Sequence, residues 1–385
     1  MHLFKAFQNW AGCALALVIF ANPAWAAERL QISGAVLGVW QGFRQGESAP
    51  GTSSQLFNLR ADVGVQSRLS DTSQIYIQLR AGRGLGLQPA AETFTGAVNS
   101  TDFELDKNAR GAGVSPLLLA QAWYEFEAGG YQWVVGKLDP FLFFDTNEYA
   151  DDESREFVNN VFVHNALLDS GSDAGVDAYG FSPGVVVSSK TDPAHASSPV
   201  IRLGLFGHGH GQNFSGSLNQ PFAIVQLQFD SDSVFQRHGR CEVYAWRNPQ
   251  LDDPLGGPRQ AHSGFGVSLS QAFTDSLGGF LRAGRRVQGT GNFNRFVTVG
   301  VHQTGLPWGR QQDAVGVAMG LLNPSDGYRA VRNVAGNEKN VELFYNWHVN
   351  EHMEISPHVQ WIGNPAASAA ADHLDLVGVR AAYFF

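Results

Sequence analysis

The densest ionisable run in the chain is Asp145-Thr146-Asn147-Glu148-Tyr149-Ala150-Asp151-Asp152-Glu153. Asp145, Asp151, Asp152 and Glu153 crowd hard oxygen ligands together, as a calcium site requires. The same carboxylates could instead belong to an infolded loop that narrows a passage, or to a solvated turn with Asx caps. Paired carboxylates also permit glycoside hydrolysis, but adjacent acids are common in loops and no enzyme is expected. His208 and His210 stand two apart in a Gly-His-Gly-His-Gly run. No further ligand accompanies them, so a loop tip is expected, with neither metal nor cofactor.

A second set of residues is scattered. Arg60, Arg80, Arg83, Arg202, Arg282 and Arg380 supply rigid multi-donor forks. Asp62, Glu125, Glu127, Glu242, Glu342 and Glu354 can accept from hydroxyls, and Trp123 and Trp246 offer flat faces for stacking. Each arginine could equally be paired with a neighbouring carboxylate, and Trp123 could equally pack in a loop or at a membrane interface. What unites the set is its setting in segments of strict apolar–polar alternation.

That alternation runs the length of the chain. Leu59, Ala61, Val63 and Val65 alternate with Arg60, Asp62, Gly64 and Gln66. Ile75, Ile77 and Leu79 alternate with Tyr76, Gln78 and Arg80, and Val341, Leu343, Tyr345 and Trp347 with Glu342, Phe344, Asn346 and His348. A period of two predicts strands with one apolar and one polar face. The segments are about ten residues long and separated by Gly, Asn, Asp, Ser and Pro, as in membrane barrels. Sixteen strands leave roughly 22 residues for each strand and its connection; twelve or eighteen are also compatible with the length. Two connections are long, Gln88 to Gly113 and Asp139 to Pro183.

The ends carry their own signals. Lys5, the apolar run from Trp10 to Ala21, Pro23 and Ala24-Trp25-Ala26 read as a signal peptide over residues 1–26, leaving 27–385 as one domain. Cys13 falls in that peptide, so Cys241 remains alone and no intrachain disulfide is expected. With 44 Gly, 27 Phe, 16% charged residues and a net charge of −9, nucleic acid is not an expected partner. Val377, Val379, Ala381, Tyr383 and Phe385 share one face of a last strand, expected to pair with a first strand near Leu30 to Trp40. The fold class is therefore all-β, a transmembrane antiparallel barrel, with a secreted soluble β-sandwich as the alternative.

The run from Gly136-Lys137-Leu138-Asp139-Pro140 through Phe144-Asp145-Thr146-Asn147 to Asp152-Glu153 resembles the carbohydrate-selective porins of the OprB type. So do Gln121-Ala122-Trp123-Tyr124-Glu125, Phe157-Val158-Asn159-Asn160-Val161-Phe162-Val163-His164-Asn165, Gly320-Leu321-Leu322-Asn323-Pro324 and Ile355 to Pro365. The resemblance implies a sixteen-stranded outer-membrane barrel through which small sugars diffuse. It singles out Lys137, Asp139, Asp145, Asn147, Asp152 and Glu153 as a family motif loop. The scattered arginines, acids and tryptophans then become candidate pore-lining residues. It also implies contact with outer-membrane lipid and recognition of Phe385 by the barrel assembly machinery; the oligomeric state stays open. Another solute, such as organic acids or an exported polysaccharide, is the alternative cargo.

Overall fold

The computed structural model describes residues 30–45, 53–84, 92–95, 99–101, 117–175, 179–190, 198–207, 218–232, 234–370 and 372–385. The expected signal peptide and the pair His208 and His210 lie outside them. Sixteen antiparallel strands close into a barrel. They are β1 (Leu30–Gln45), β2 (Ser53–Ser70), β3 (Ser73–Arg83), β4 (Leu118–Ala128), β5 (Tyr131–Leu138), β6 (Ser182–Ser189), β7 (Val200–Phe206) and β8 (Phe222–Ser231). Then follow β9 (Gly239–Leu251), β10 (Gln260–Ala272), β11 (Leu277–Gln288), β12 (Phe293–Gly305), β13 (Arg310–Pro324), β14 (Glu338–Asn350), β15 (Met353–Gly363) and β16 (His373–Phe384). No helix of the described residues is long and apolar enough to cross a membrane.

Closure is made by the pairing predicted from the terminal strand. β16 runs antiparallel to β1 from Ala35↔Phe384 to Gln45↔Leu374. Phe385 extends the ladder, its N–H donating to the Gly34 carbonyl at 3.1 Å and its own carbonyl accepting from Gly34 N at 2.9 Å. Gly34 is required there, since a Cβ would sit 2.4 Å from the Phe385 ring. A closed ladder leaves no edge, and in hydrocarbon an unpaired backbone group costs several kcal/mol.

The alternation sets the two faces. On β16, Leu376, Gly378, Arg380 and Ala382 turn inward, while Val377, Val379, Ala381 and Tyr383 are exposed on the outside. Outward aromatics stand toward both rims, Trp40, Phe57, Phe265 and Trp361 toward the long connections and, at the rim of short turns, Tyr124, Phe126 and Trp133 stacked in a row. One such turn is Gly129-Gly130, with φ of 61° and 83°, a left-handed pair that glycine alone adopts without strain. By the usual arrangement of these barrels, short turns face the periplasm and long connections the outside.

Among the described residues, the largest apolar cluster lies inside the barrel. It is built by the long β5–β6 connection, which folds into the lumen. Phe157 packs against Phe162 of that connection and against Phe280 and Phe344 of the wall, with ring centroids 4.9–5.7 Å apart. Phe94, from the β3–β4 connection, joins the same cluster against Phe293 and Tyr328.

Candidate functional site in the barrel lumen

The infolded connection starts from the motif run. Asp139 caps the 3-10 turn Pro140–Leu142 by accepting from Phe141 N at 2.9 Å. Asn159 caps the helical turn Asn160–Val163 in the same way, from Val161 N at 3.1 Å. Asp145 has φ of 64° and is fully buried. Its carboxylate accepts from Asn165 N and from the Tyr244 hydroxyl, and lies 3.3 Å from the Arg282 guanidinium. The loop is thus folded on itself around one buried carboxylate.

The wall from β7 to β16 then takes hold of it. Arg202 donates to the Phe143 carbonyl. Gln226 accepts from Asp145 N, and Glu242 accepts from the Thr146 hydroxyl at 2.6 Å. Asn147 donates to Ser268 and to the Leu269 carbonyl, both at 3.0 Å. Arg282 donates to the carbonyls of Ala150, Phe162 and Asp145 and to the Asp151 carboxylate. Glu342 accepts from Val158 N and Asn159 N at 2.7 and 2.8 Å. Arg380 donates to the carbonyls of Glu153 and Glu156. Downstream, Asp173 is gripped by Arg286, His262 and Trp246.

The wall from β2 to β4 is different. Arg60 Nε lies 2.9 Å from Asp62, and its Nη2 reaches Glu153 of the loop at 2.9 Å. Arg80 lies 2.6 Å from the other Asp62 oxygen. Along this chain of charges Arg60 in the middle is buried, with 6% of its side chain exposed, and the ends are more open, 16% at Arg80 and 23% at Glu153. Tyr76 and Trp123, also partly exposed, form a tilted aromatic pair with centroids 5.0 Å apart. Gln78 links Asp62 to Gln121. On this side Arg60 and Asp62 are buried, with Arg60 tied to the loop, whereas Tyr76, Gln78, Arg80 and Trp123 are only half-buried.

Charge on the loop is set by burial. For Glu153 burial opposes ionisation, yet the Arg60 guanidinium outweighs it and holds the carboxyl at about 2, so it stays charged. Burial pulls His164 down to about 4, so it is neutral at physiological pH. Burial pushes Asp139 and Glu156 up to about 7, Glu156 despite accepting from Asp151 N and Asp152 N. Beneath the acidic turn is a recess of about 380 Å³ lined by Asp152, Arg155, Glu156, His302, Gln312 and Glu354 among others. Among the described residues no group of acids, histidines or cysteines could hold a metal ion. The acids of the motif diverge instead: Asp145 and Asp151 meet Arg282, Glu153 meets Arg60, and Asp152 caps its own turn through Ser154 N at 2.8 Å.

The candidates read from sequence therefore separate. Arg80 and Trp123 are half-buried on the β2 to β4 wall, and Arg60 and Asp62 on the same wall are buried. Glu125 is inward but near the short-turn rim, where Gln132 donates to it at 2.9 Å. Arg202, Glu242, Arg282 and Arg380 face inward but are spent on the loop, and Trp246 is 3% exposed with its Nε1 on Asp173. Lys137 is buried, donating to the Leu119 carbonyl at 2.9 Å. Arg83 departs from its expected place: it shares the phase of Leu79 and Ala81 and points outward at the strand end, because the inward phase of β3 falls on even numbers. Sequence reasoning missed Tyr76, which its polar phase could have flagged. It also missed the Asp173, Arg286 and His262 cluster, for which no local signal exists.

Comparison with known proteins places this architecture. The sequence profile of the carbohydrate-selective porin OprB family matches residues 117–385. The high-pH structure of Pseudomonas putida OprB superposes with a TM-score of 0.76 at 16% identity, covering 94% of this chain and 96% of that one. The low-pH structure of the same protein gives 0.56 at 14% identity, covering 94% and 95%. The outer membrane channel DcaP of Acinetobacter baumannii gives 0.54 at 12% identity, covering 92% and 97%. At these identities the structural matches speak for the barrel alone. An uncharacterized protein of Aquifex aeolicus (strain VF5) is 28% identical over 161 residues, a stretch spanning 38% of this chain and 48% of that protein.

Proposed function

The chain belongs to the carbohydrate-selective porin OprB family, channels of the bacterial outer membrane, and from that membership we propose that small neutral sugars diffuse through it between the loop and the wall of β2 to β4. The carrying observation is the contrast within the lumen. Arg202, Glu242, Arg282, Glu342 and Arg380 are occupied by the loop, whereas Arg80, Gln78, Tyr76 and Trp123 present partly open donors, acceptors and ring faces. A sugar needs such groups to replace part of its hydration, and they must hold it weakly enough for release. Each guanidinium here is already balanced, Arg60 by Asp62 and Glu153 and Arg80 by Asp62. That balance favours an uncharged solute over an organic acid. No covalent step is involved.

Liposome swelling with glucose against an amino acid of equal size tests the reading. Faster swelling in glucose supports it; equal rates overturn the selectivity and leave the barrel standing. The proposal extends to biogenesis. The exposed aromatic end of β16, with Phe385 clamped to Gly34, is what the assembly machinery reads. Deleting Phe385 lowers the amount of barrel in the outer membrane more than the conductance of each channel; unchanged barrel levels would refute this.

A further inference from the structure

The outward face of the barrel is apolar at mid-height, with Val243, Val297, Val299 and Met319 all exposed. Toward the rim of long connections cations join it: single ones at Arg44 of β1 and Arg83 of β3, and a row on β9 to β14. Arg247 of β9, Arg285 of β11, Arg295 of β12 and Lys339 of β14 are all exposed. All four fall on the outward phase, alternating with the inward Trp246, Gly284, Phe296 and Glu338. Arg285 pairs directly with Arg295 across the β11–β12 ladder, close to the connection at 289–292. No carboxylate stands on the outward phase of β9 to β14 at this level: the neighbours in register are Phe265 and Asn323. Of the acids near this rim, Asp252 is taken by Arg259, Glu338 turns inward to Phe94 N and Ala366 N, and Asp326 lies in the helical turn beyond β13, off the outward ladder face.

Like charges set opposite one another in a ladder repel. A guanidinium on the lipid face costs up to about 2–4 kcal/mol at the midplane and close to nothing only near the interface. A chain of net charge −9 has no general excess of cations to explain the row. What removes both penalties is an anion supplied from outside, at headgroup depth, with oxygens that two guanidinium forks can share. We propose that Arg285 and Arg295, flanked by Arg247 and Lys339, form a binding site for the phosphate groups of an anionic lipid in the leaflet around this rim. The site rests on the outer-membrane reading but not on the cargo. Its side chains stand on the lipid-facing surface, which is why a lipid phosphate rather than a dissolved one is the occupant.

The test uses the full barrel in detergent micelles, with diphosphorylated lipid A, its dephosphorylated counterpart and inorganic phosphate as probes. Native mass spectrometry reads the bound fraction. Wild type retains diphosphorylated lipid A, and R285Q/R295Q lowers its apparent affinity about tenfold or more. R285K/R295K, which keeps charge but loses the forks, falls between. Equal retention by wild type and R285Q/R295Q would overturn the proposal. So would equal retention of the dephosphorylated lipid, or displacement of lipid A by equimolar inorganic phosphate. Heat-modifiable migration verifies that each variant is a folded barrel. Sugar swelling rates stay at the wild-type value in these variants, so loss of lipid retention and loss of sugar selectivity are read separately.

Discussion

The two halves of the barrel lumen use the same kinds of side chain for opposite purposes. On β7 to β16, Arg282, Glu342, Glu242 and Arg380 are buried and bonded to the loop's backbone and carboxylates. On β2 to β4, Arg80, Gln78 and Trp123 keep part of their surface open. An inward arginine is therefore a structural tie where the loop covers it and keeps open surface where it does not. Residue type alone does not decide which; the path of one connection does.

The largest expected effect comes from cutting a tie. Arg282→Ala leaves Asp145 and Asp151 buried without their guanidinium, a loss of about 3–5 kcal/mol. Single-channel conductance should rise as the loop leaves the wall, and selectivity between glucose and a same-sized amino acid should vanish. Unchanged conductance would show that the loop is held by other means. On the open wall the outcome is reversed. Arg80→Ala should weaken sugar binding about tenfold, as for loss of a charge-assisted hydrogen bond, with the thermal transition of the barrel unmoved. Sugar-induced current noise measures the first and heat-modifiable migration the second. Trp123→Ala removes one ring of the Tyr76 pair and should cost about fivefold in the same noise measurement, roughly 1 kcal/mol.

The smallest effect is on pH. Burial raises Glu156 to about 7, so the docked loop holds this proton more tightly than a released loop, whose carboxyl titrates near its ordinary value. The stabilisation it gives is complete below about pH 4.3 and is lost as pH rises through 7. Glu153 acts in the other direction, since its pull to about 2 stabilises docking above its ordinary range and is lost only in strong acid. The transition temperature should therefore fall between pH 5 and 8, and Glu156→Gln should flatten that slope. A slope unchanged in the variant would assign it to another group, with Asp139 the next candidate.

Much of the fold was legible because a two-residue period carries it. Val377, Val379 and Tyr383 were assignable to one face from sequence, and β16 does close on β1. The phase also told that Arg60, Arg282 and Arg380 face inward. It could not tell that Arg282 would be covered and Arg80 left open, since the covering residues are 120 to 137 positions away in the chain. Arg83 misled because the type was right and the phase was wrong. The motif run marked where the loop lies, but its acids serve two different arginines and a turn cap rather than one shared site.

Thiol accessibility tests the contrast most directly. In a Cys241→Ser background, Gln78→Cys probes the open wall, and Thr298→Cys probes the wall beneath the loop, where Thr298 is fully buried. A hydrophilic methanethiosulfonate should cut the conductance of the Gln78→Cys channel, with glucose slowing the reaction, and leave the Thr298→Cys channel untouched. Rapid block at Thr298→Cys with none at Gln78→Cys would place the solute path on the other side of the loop and contradict the account.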